Sequence, residues 1–79
     1  MNLHEVIYSD PEVLHGTPVF KGTRVPVQSL FWHLEDGISI NDFLEEFPTV
    51  TKQQCEAVIE LAAKAFGSQN FLRLYENAA

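Results

Sequence analysis

The sequence predicts a mostly α-helical fold: a small bundle of three to four helices containing a helix-turn-helix, with a short two-stranded β element at its N-terminal end. Three observations predict it. Between residues 26 and 66, apolar side chains recur at the spacing that lines one face of a helix. Two of those stripes open with complete entry signals, at Ser39 and at Thr51. Before them, His15-Gly16-Thr17-Pro18-Val19-Phe20-Lys21-Gly22-Thr23-Arg24-Val25-Pro26-Val27 sets two glycines and two prolines around a very short apolar run, so turns flank anything extended there.

Taken in order, Val6-Ile7-Tyr8 reads as a short strand running into Asp10-Pro11, a turn or helix start. Pro11-Glu12-Val13-Leu14 reads as one helical turn before Gly16. Pro18-Val19-Phe20-Lys21 reads as a second strand, and Lys21-Gly22-Thr23 as the bend after it. Paired, the two strands make a ribbon that is barely stable alone and leaves open edges. A second copy of the chain capping those edges is the economical solution, so a homodimer is expected. Pro26 suits the first turn of a helix, where a missing N–H costs nothing.

Val27, Leu30, Phe31 and Leu34 then share one helical face that stops at Gly37. Ser39 is an N-cap with Asp42 three residues on, and Ile38 and Phe43 stand at the two positions of a hydrophobic staple. Ile40, Phe43, Leu44 and Phe47 form the buried face of that helix, and Pro48 ends it. Thr51 with Gln54 is a capping box, and Val50 with Cys55 its staple. Cys55, Val58, Ile59, Ala62 and Phe66 carry the stripe to Gly67, a natural stop. Ser68 can cap a last short helix whose Phe71, Leu72 and Tyr75 fold back on the bundle. No repeat or linker interrupts the chain, so residues 1–79 read as one domain: ribbon and turns over 1–25, a three-helix body over 26–66, and a C-terminal helix or tail over 67–79.

A chain of 79 residues buries only about 60% of its unfolded surface, so association would help its stability. The single cysteine allows neither an internal disulfide nor a cysteine-based zinc site and suits a reducing compartment. No apolar run approaches the ~18 residues of a membrane span, and the N-terminus lacks a signal-like pattern; a cytoplasmic protein is expected, with no membrane partner. The net charge of -6 argues against non-specific nucleic-acid binding, which rests on Lys and Arg. His4, His15 and His33 lack metal-ligand spacing. With no glycine–serine elbow, phosphate-cradling loop or paired carboxylates, neither an enzyme nor a cofactor is expected.

Two helices joined by Phe47-Pro48-Thr49-Val50 have the length of a helix-turn-helix, with residues 51–66 in the recognition position. Thr51, Lys52, Gln53 and Gln54 would then face base edges: Gln pairs bidentately with adenine, and Lys reaches guanine or phosphate. The bland reading is an ordinary turn in a small helical domain, and Asp42, Glu45 and Glu46 make an acidic face beside it. Lys21 and Arg24 flank the bend, placed to grip a phosphate or a partner's carboxylates, or else to form a solvated pair with a local acid such as Asp36. Arg24 thus joins residues 51–54 as a DNA-contact candidate. Lys21 and the off-stripe Trp32 are candidates for a partner's surface, with Phe71, Leu72 and Tyr75; each has an ordinary packing alternative.

These stretches together resemble the domain-of-unknown-function 433 family. The pattern runs Ser9-Asp10-Pro11-Glu12, Gly16-Thr17-Pro18-Val19, Lys21-Gly22-Thr23-Arg24-Val25-Pro26-Val27, then Asp36-Gly37 and Glu45-Glu46-Phe47-Pro48 with Thr51 and the helix after it. The resemblance covers roughly residues 7–66. It implies a homeodomain-like helix-turn-helix with a short β element, and an antitoxin of a type II toxin–antitoxin pair that silences a PIN-like ribonuclease toxin and, as a dimer, binds operator DNA. A protein-interaction module of the same fold without DNA binding is the alternative, which the acidity and the aromatic C-terminal segment favour.

Overall fold

The computed structural model describes residues 2–67, 72, 73 and 76. The elements run α1 (Leu3–Val6), β1 (Ile7–Tyr8), a 3-10 turn at Leu14–Gly16, β2 (Val19–Phe20), α2 (Val27–Glu35), α3 (Ile40–Glu46) and α4 (Lys52–Phe66). The fold is mostly helical with a short antiparallel two-stranded sheet at its N-terminal end, as the sequence predicts.

Both capped helices start where their signals stand. Ser39 accepts a hydrogen bond from the Asp42 N–H at the head of α3. Thr51 and Gln54 form both bonds of a capping box at the head of α4. Each satisfies N–H groups that no helical carbonyl can reach. Between the two helices Phe47 leaves the helical conformation (φ -121°, ψ 74°), so they are separate segments and not one rod. Val50 and Cys55 are both buried, which is the contact that a staple at these positions makes.

Phe43 is the meeting point of the halves. It is wholly buried, its ring 6.3 Å from Phe20 of the ribbon and 4.9 Å from Phe47 of the turn. Val6, Val27, Leu30, Val50, Cys55 and Val58 complete the core around these rings.

Four expectations are corrected. Pro26 is the N-cap of α2 instead of a residue in its first turn, with an extended ψ of 137°. The ribbon claims it: Val19 bridges to Pro26, the Phe20 N–H donates to the Val25 carbonyl, and the Val27 N–H donates to the Pro18 carbonyl. The outer edge of β2 is therefore filled by the same chain and not left open for a second copy.

Second, Val6 belongs to α1, a short helix that the apolar pattern does not announce, and only Ile7 and Tyr8 pair with β2. Asn2 caps α1 by accepting from the Glu5 N–H.

Third, residues 11–14 form no helical turn. Asp10 takes the Glu12 N–H with its side chain and the Val13 N–H with its carbonyl, a local closure that competes with a helix. Leu14, His15 and Gly16 follow at φ 50°, 57° and 85°, left-handed values that cost a non-glycine residue about 1–2 kcal/mol.

Fourth, Phe66, expected on the buried stripe, is 65% exposed. At 15 residues α4 outruns α2 and α3, of 9 and 7 residues, so its last turn extends past the core.

Candidate functional site

The bend after β2 is built to hold its backbone still. Gly22 supplies the positive φ (81°) that the turn needs. The Thr23 hydroxyl donates to the Phe20 carbonyl at 2.8 Å and accepts from the Val25 N–H at 3.0 Å. On one side of the bend, the Lys21 N–H donates to the Val6 carbonyl at 2.8 Å. On the other, the Lys21 carbonyl accepts from Gln54 Nε2 at 3.0 Å. The main chain is thus pinned from α1 and from α4, and the side chains of Lys21 and Arg24 remain exposed. Neither they nor Lys52 form an ion pair among the described residues, so the alternative pairing of Arg24 with Asp36 is not made.

Gln54 is the joint. It is buried, its Oε1 accepts from the Thr51 N–H, and its Nε2 reaches the Lys21 carbonyl 33 positions away in sequence. One amide therefore caps α4 and fastens the bend to that helix's first turn. The bend that carries Arg24 is thereby tied to the turn of α4 that carries Lys52 and Gln53, and Thr51, Lys52 and Gln53 are exposed. No acidic residue lies in the first turn of α4, so its positive dipole end is not neutralised from within that turn.

Beside the bend lies an open groove of about 910 Å³. Tyr8, Val13, Val25, Pro26 and Phe47 supply its apolar walls. Lys21, Thr23, Arg24 and Thr49 supply the polar margin. Residues 21–26, together with Phe47 and Thr49 some twenty positions later, therefore line one surface. Tyr8, Val13, Phe47 and Thr49 were not singled out as site residues from the sequence. The signal for Phe47 was its place in the Phe-Pro turn; nothing local marks Tyr8 or Val13. The Tyr8 hydroxyl donates to Asp10 at 3.0 Å, and this bond to a carboxylate holds its acidity below that of an ordinary phenol by raising its pKa.

Of the remaining candidates, Trp32 is exposed on α2 and lies outside the groove lining. Leu72 is exposed, and Phe71 and Tyr75 lie outside the described residues. Burial pushes the Cys55 thiol's pKa up, which disfavours the thiolate a nucleophile needs. Among the described residues no three His, Cys, Asp or Glu side chains are placed to hold a metal ion. Among the same residues, no helix is long and apolar enough to cross a membrane.

His33 ties α2 to the end of α3. Its Nδ1 lies 2.6 Å from the Ser29 carbonyl and its Nε2 3.1 Å from Glu46, with the ring edge-on to Phe43 and Phe47. A carbonyl and a carboxylate can only accept, so both ring nitrogens donate and the imidazolium is favoured. The pKa is accordingly raised, first by the Ser29 carbonyl and then by Glu46, against an opposing contribution from burial.

Fold and site together define a small helical domain whose N-terminal ribbon presents a cationic bend beside a capped helix. The chain belongs to the family described as "Protein of unknown function (DUF433)", whose model matches residues 7–62. It is similar to the uncharacterized protein y4eO of Sinorhizobium fredii (strain NBRC 101917 / NGR234), 38% identical over 50 residues. That match covers 63% of this chain and 23% of the relative. No solved structure matches the chain.

Proposed function

We propose that the chain is an antitoxin-like regulator of a type II toxin–antitoxin pair, a homodimer that silences a PIN-like ribonuclease and contacts operator DNA. The observation that carries the reading is the Gln54–Lys21 bond, which draws the Arg24 bend and the first turn of α4 together. In a chain of net charge -6, Lys21, Arg24 and Lys52 lack carboxylate partners among the described residues. The resemblance to antitoxins adds to this. In the proposed mechanism Lys52 and Gln53 reach base edges and phosphates, Arg24 holds a phosphate, and Gln54 positions them without touching a base.

A mobility-shift titration with DNA upstream of the chain's own reading frame tests the DNA half. Binding at low salt that falls steeply with added salt, with the slope lowered by about 1 in Lys52→Ala, is expected. No shift at low salt defeats it. Co-purification with the product of the adjacent reading frame, and loss of that product's RNA cleavage, tests the other half. A second reading, a protein-interaction module that binds no DNA, is favoured by the burial of Gln54, which removes one base-reading amide. A stable protein complex that shifts no DNA would select it.

A further inference from the structure

We infer that the groove beside the bend is a docking site for an extended segment of a protein partner carrying a carboxylate next to an apolar side chain. The inference rests on the protein-binding half of the reading above and names the chemistry of the contact. The walls formed by Tyr8, Val25, Pro26 and Phe47 are apolar, and Lys21 and Arg24 stand at the margin. No Asp or Glu lines the groove, Asp10 touching its edge only through the bond it accepts from the Tyr8 hydroxyl, although the chain carries 11 acidic residues against 5 basic ones. An anionic partner is repelled over most of this protein and attracted here, so charge directs the segment to the groove while apolar burial holds it.

The same distribution disfavours a nucleic-acid strand lying along the groove, which is a different contact from the single phosphate proposed for Arg24 when α4 docks on a duplex. Glu45 and Glu46, which directly precede Phe47 and are exposed on α3, oppose a run of phosphates on this side of the molecule, whereas a single carboxylate seated among apolar neighbours needs only one cationic contact. The bend is also ready to bind. Lys21 is held through both its N–H and its carbonyl, and the Thr23 hydroxyl bonds the backbone on either side of it, so little ordering is required when a ligand arrives.

The test is an NMR titration of the isotopically labelled full chain at low salt with a short peptide alternating Glu with Leu and Phe. The comparison probes are the same peptide with Lys for Glu, the same peptide with Ser for Leu and Phe, and a short single-stranded oligonucleotide. Only the first peptide is expected to shift the amides of residues 21–25 and 47–49. Arg24→Glu weakens its binding about tenfold, Arg24→Lys retains it, and Lys64→Glu, an equal charge change on the exposed face of α4, leaves it unchanged.

An absence of shifts at these amides overturns the inference. So does stronger binding there by the oligonucleotide, an unchanged affinity in Arg24→Glu, or self-association of the free chain through these residues. Peptide binding in the groove without capture of any ribonuclease keeps the docking site and removes the antitoxin reading. Ribonuclease capture undiminished by Arg24→Glu does the reverse.

Discussion

Helix α4 and the bend at residues 21–24 are joined by the Gln54 side chain, yet they are held in different ways. The start of α4 is closed by partners three positions apart, Thr51 and Gln54, and its turns by the helix's own hydrogen bonds. The bend also has local bonds through Thr23, but its place in the molecule depends on Val6 and Gln54, which lie 15 and 33 positions from Lys21. Local closure costs little chain entropy, so a helix can form its own end. A loop fixed by distant partners exists only once the rest has folded. The part proposed to meet a partner is therefore the part that the remainder of the fold must hold in place.

The largest effect should erase the contrast. Phe43→Ala removes the ring shared by ribbon, turn and helices and should cost about 3–5 kcal/mol, collapsing both regions in one transition. Helical circular dichroism through urea denaturation, with hydrogen exchange at the amides of residues 21–25, checks that helix and bend lose stability together.

Gln54 separates the regions. Gln54→Glu keeps the oxygen that accepts from the Thr51 N–H but sets a carboxylate against the Lys21 carbonyl, at about 1–3 kcal/mol. Hydrogen exchange should accelerate at residues 21–25 while the body of α4 stays protected. Equal acceleration in both would show that bend and helix open as one unit.

Smaller effects address each region alone. Thr51→Ala should cost about 1 kcal/mol by uncapping α4. Gly22→Ala should cost a similar ~1 kcal/mol through its φ of 81° alone, since nothing lies within 4 Å of the added methyl. Thermal denaturation measures both, and a departure from additivity in the double variant is expected because Gln54 bonds to Thr51 and to Lys21, next to Gly22.

The smallest effect is a pH dependence from His33. Its pKa is raised in the folded state, so its contribution is complete below its unfolded value of about 6.5 and fades as pH rises through the folded value. Stability compared between pH 6 and pH 8 should show this decline, and His33→Gln should flatten it.

Much of the helical body is legible from sequence because caps, staples and stops act over three to five residues. Ser39 with Asp42, Thr51 with Gln54, and Pro48 with Gly37 and Gly67 mark helix limits to within a residue or two of those observed. The signal for α1 was also present, since Asn2 and Glu5 stand at capping-box spacing, but one turn is too short to show a periodic stripe. Asp10 marks a turn in the sequence, yet the left-handed path after it depends on how the loop closes, including the bond from the Ser9 hydroxyl to the Gly16 carbonyl. Gln54 shows where the reading from spacing ends. Its capping role is written in four adjacent residues, while its bond to Lys21 requires the ribbon to have folded onto α4.

The amino-acid sequence by itself determined a helical body with a ribbon before it, the capped starts of α3 and α4, and the family pattern spread over both halves. Those are decided by contacts between near neighbours, whose spacing is visible in one dimension. Only the tertiary structure decided that the Gly-Thr-Arg bend and the Phe-Pro turn line one groove, that Gln54 faces inward, and that Lys21, Arg24 and Lys52 form no ion pair among the described residues. Such outcomes depend on which distant surfaces come together when Phe20 and Phe43 are buried, and no local spacing encodes them.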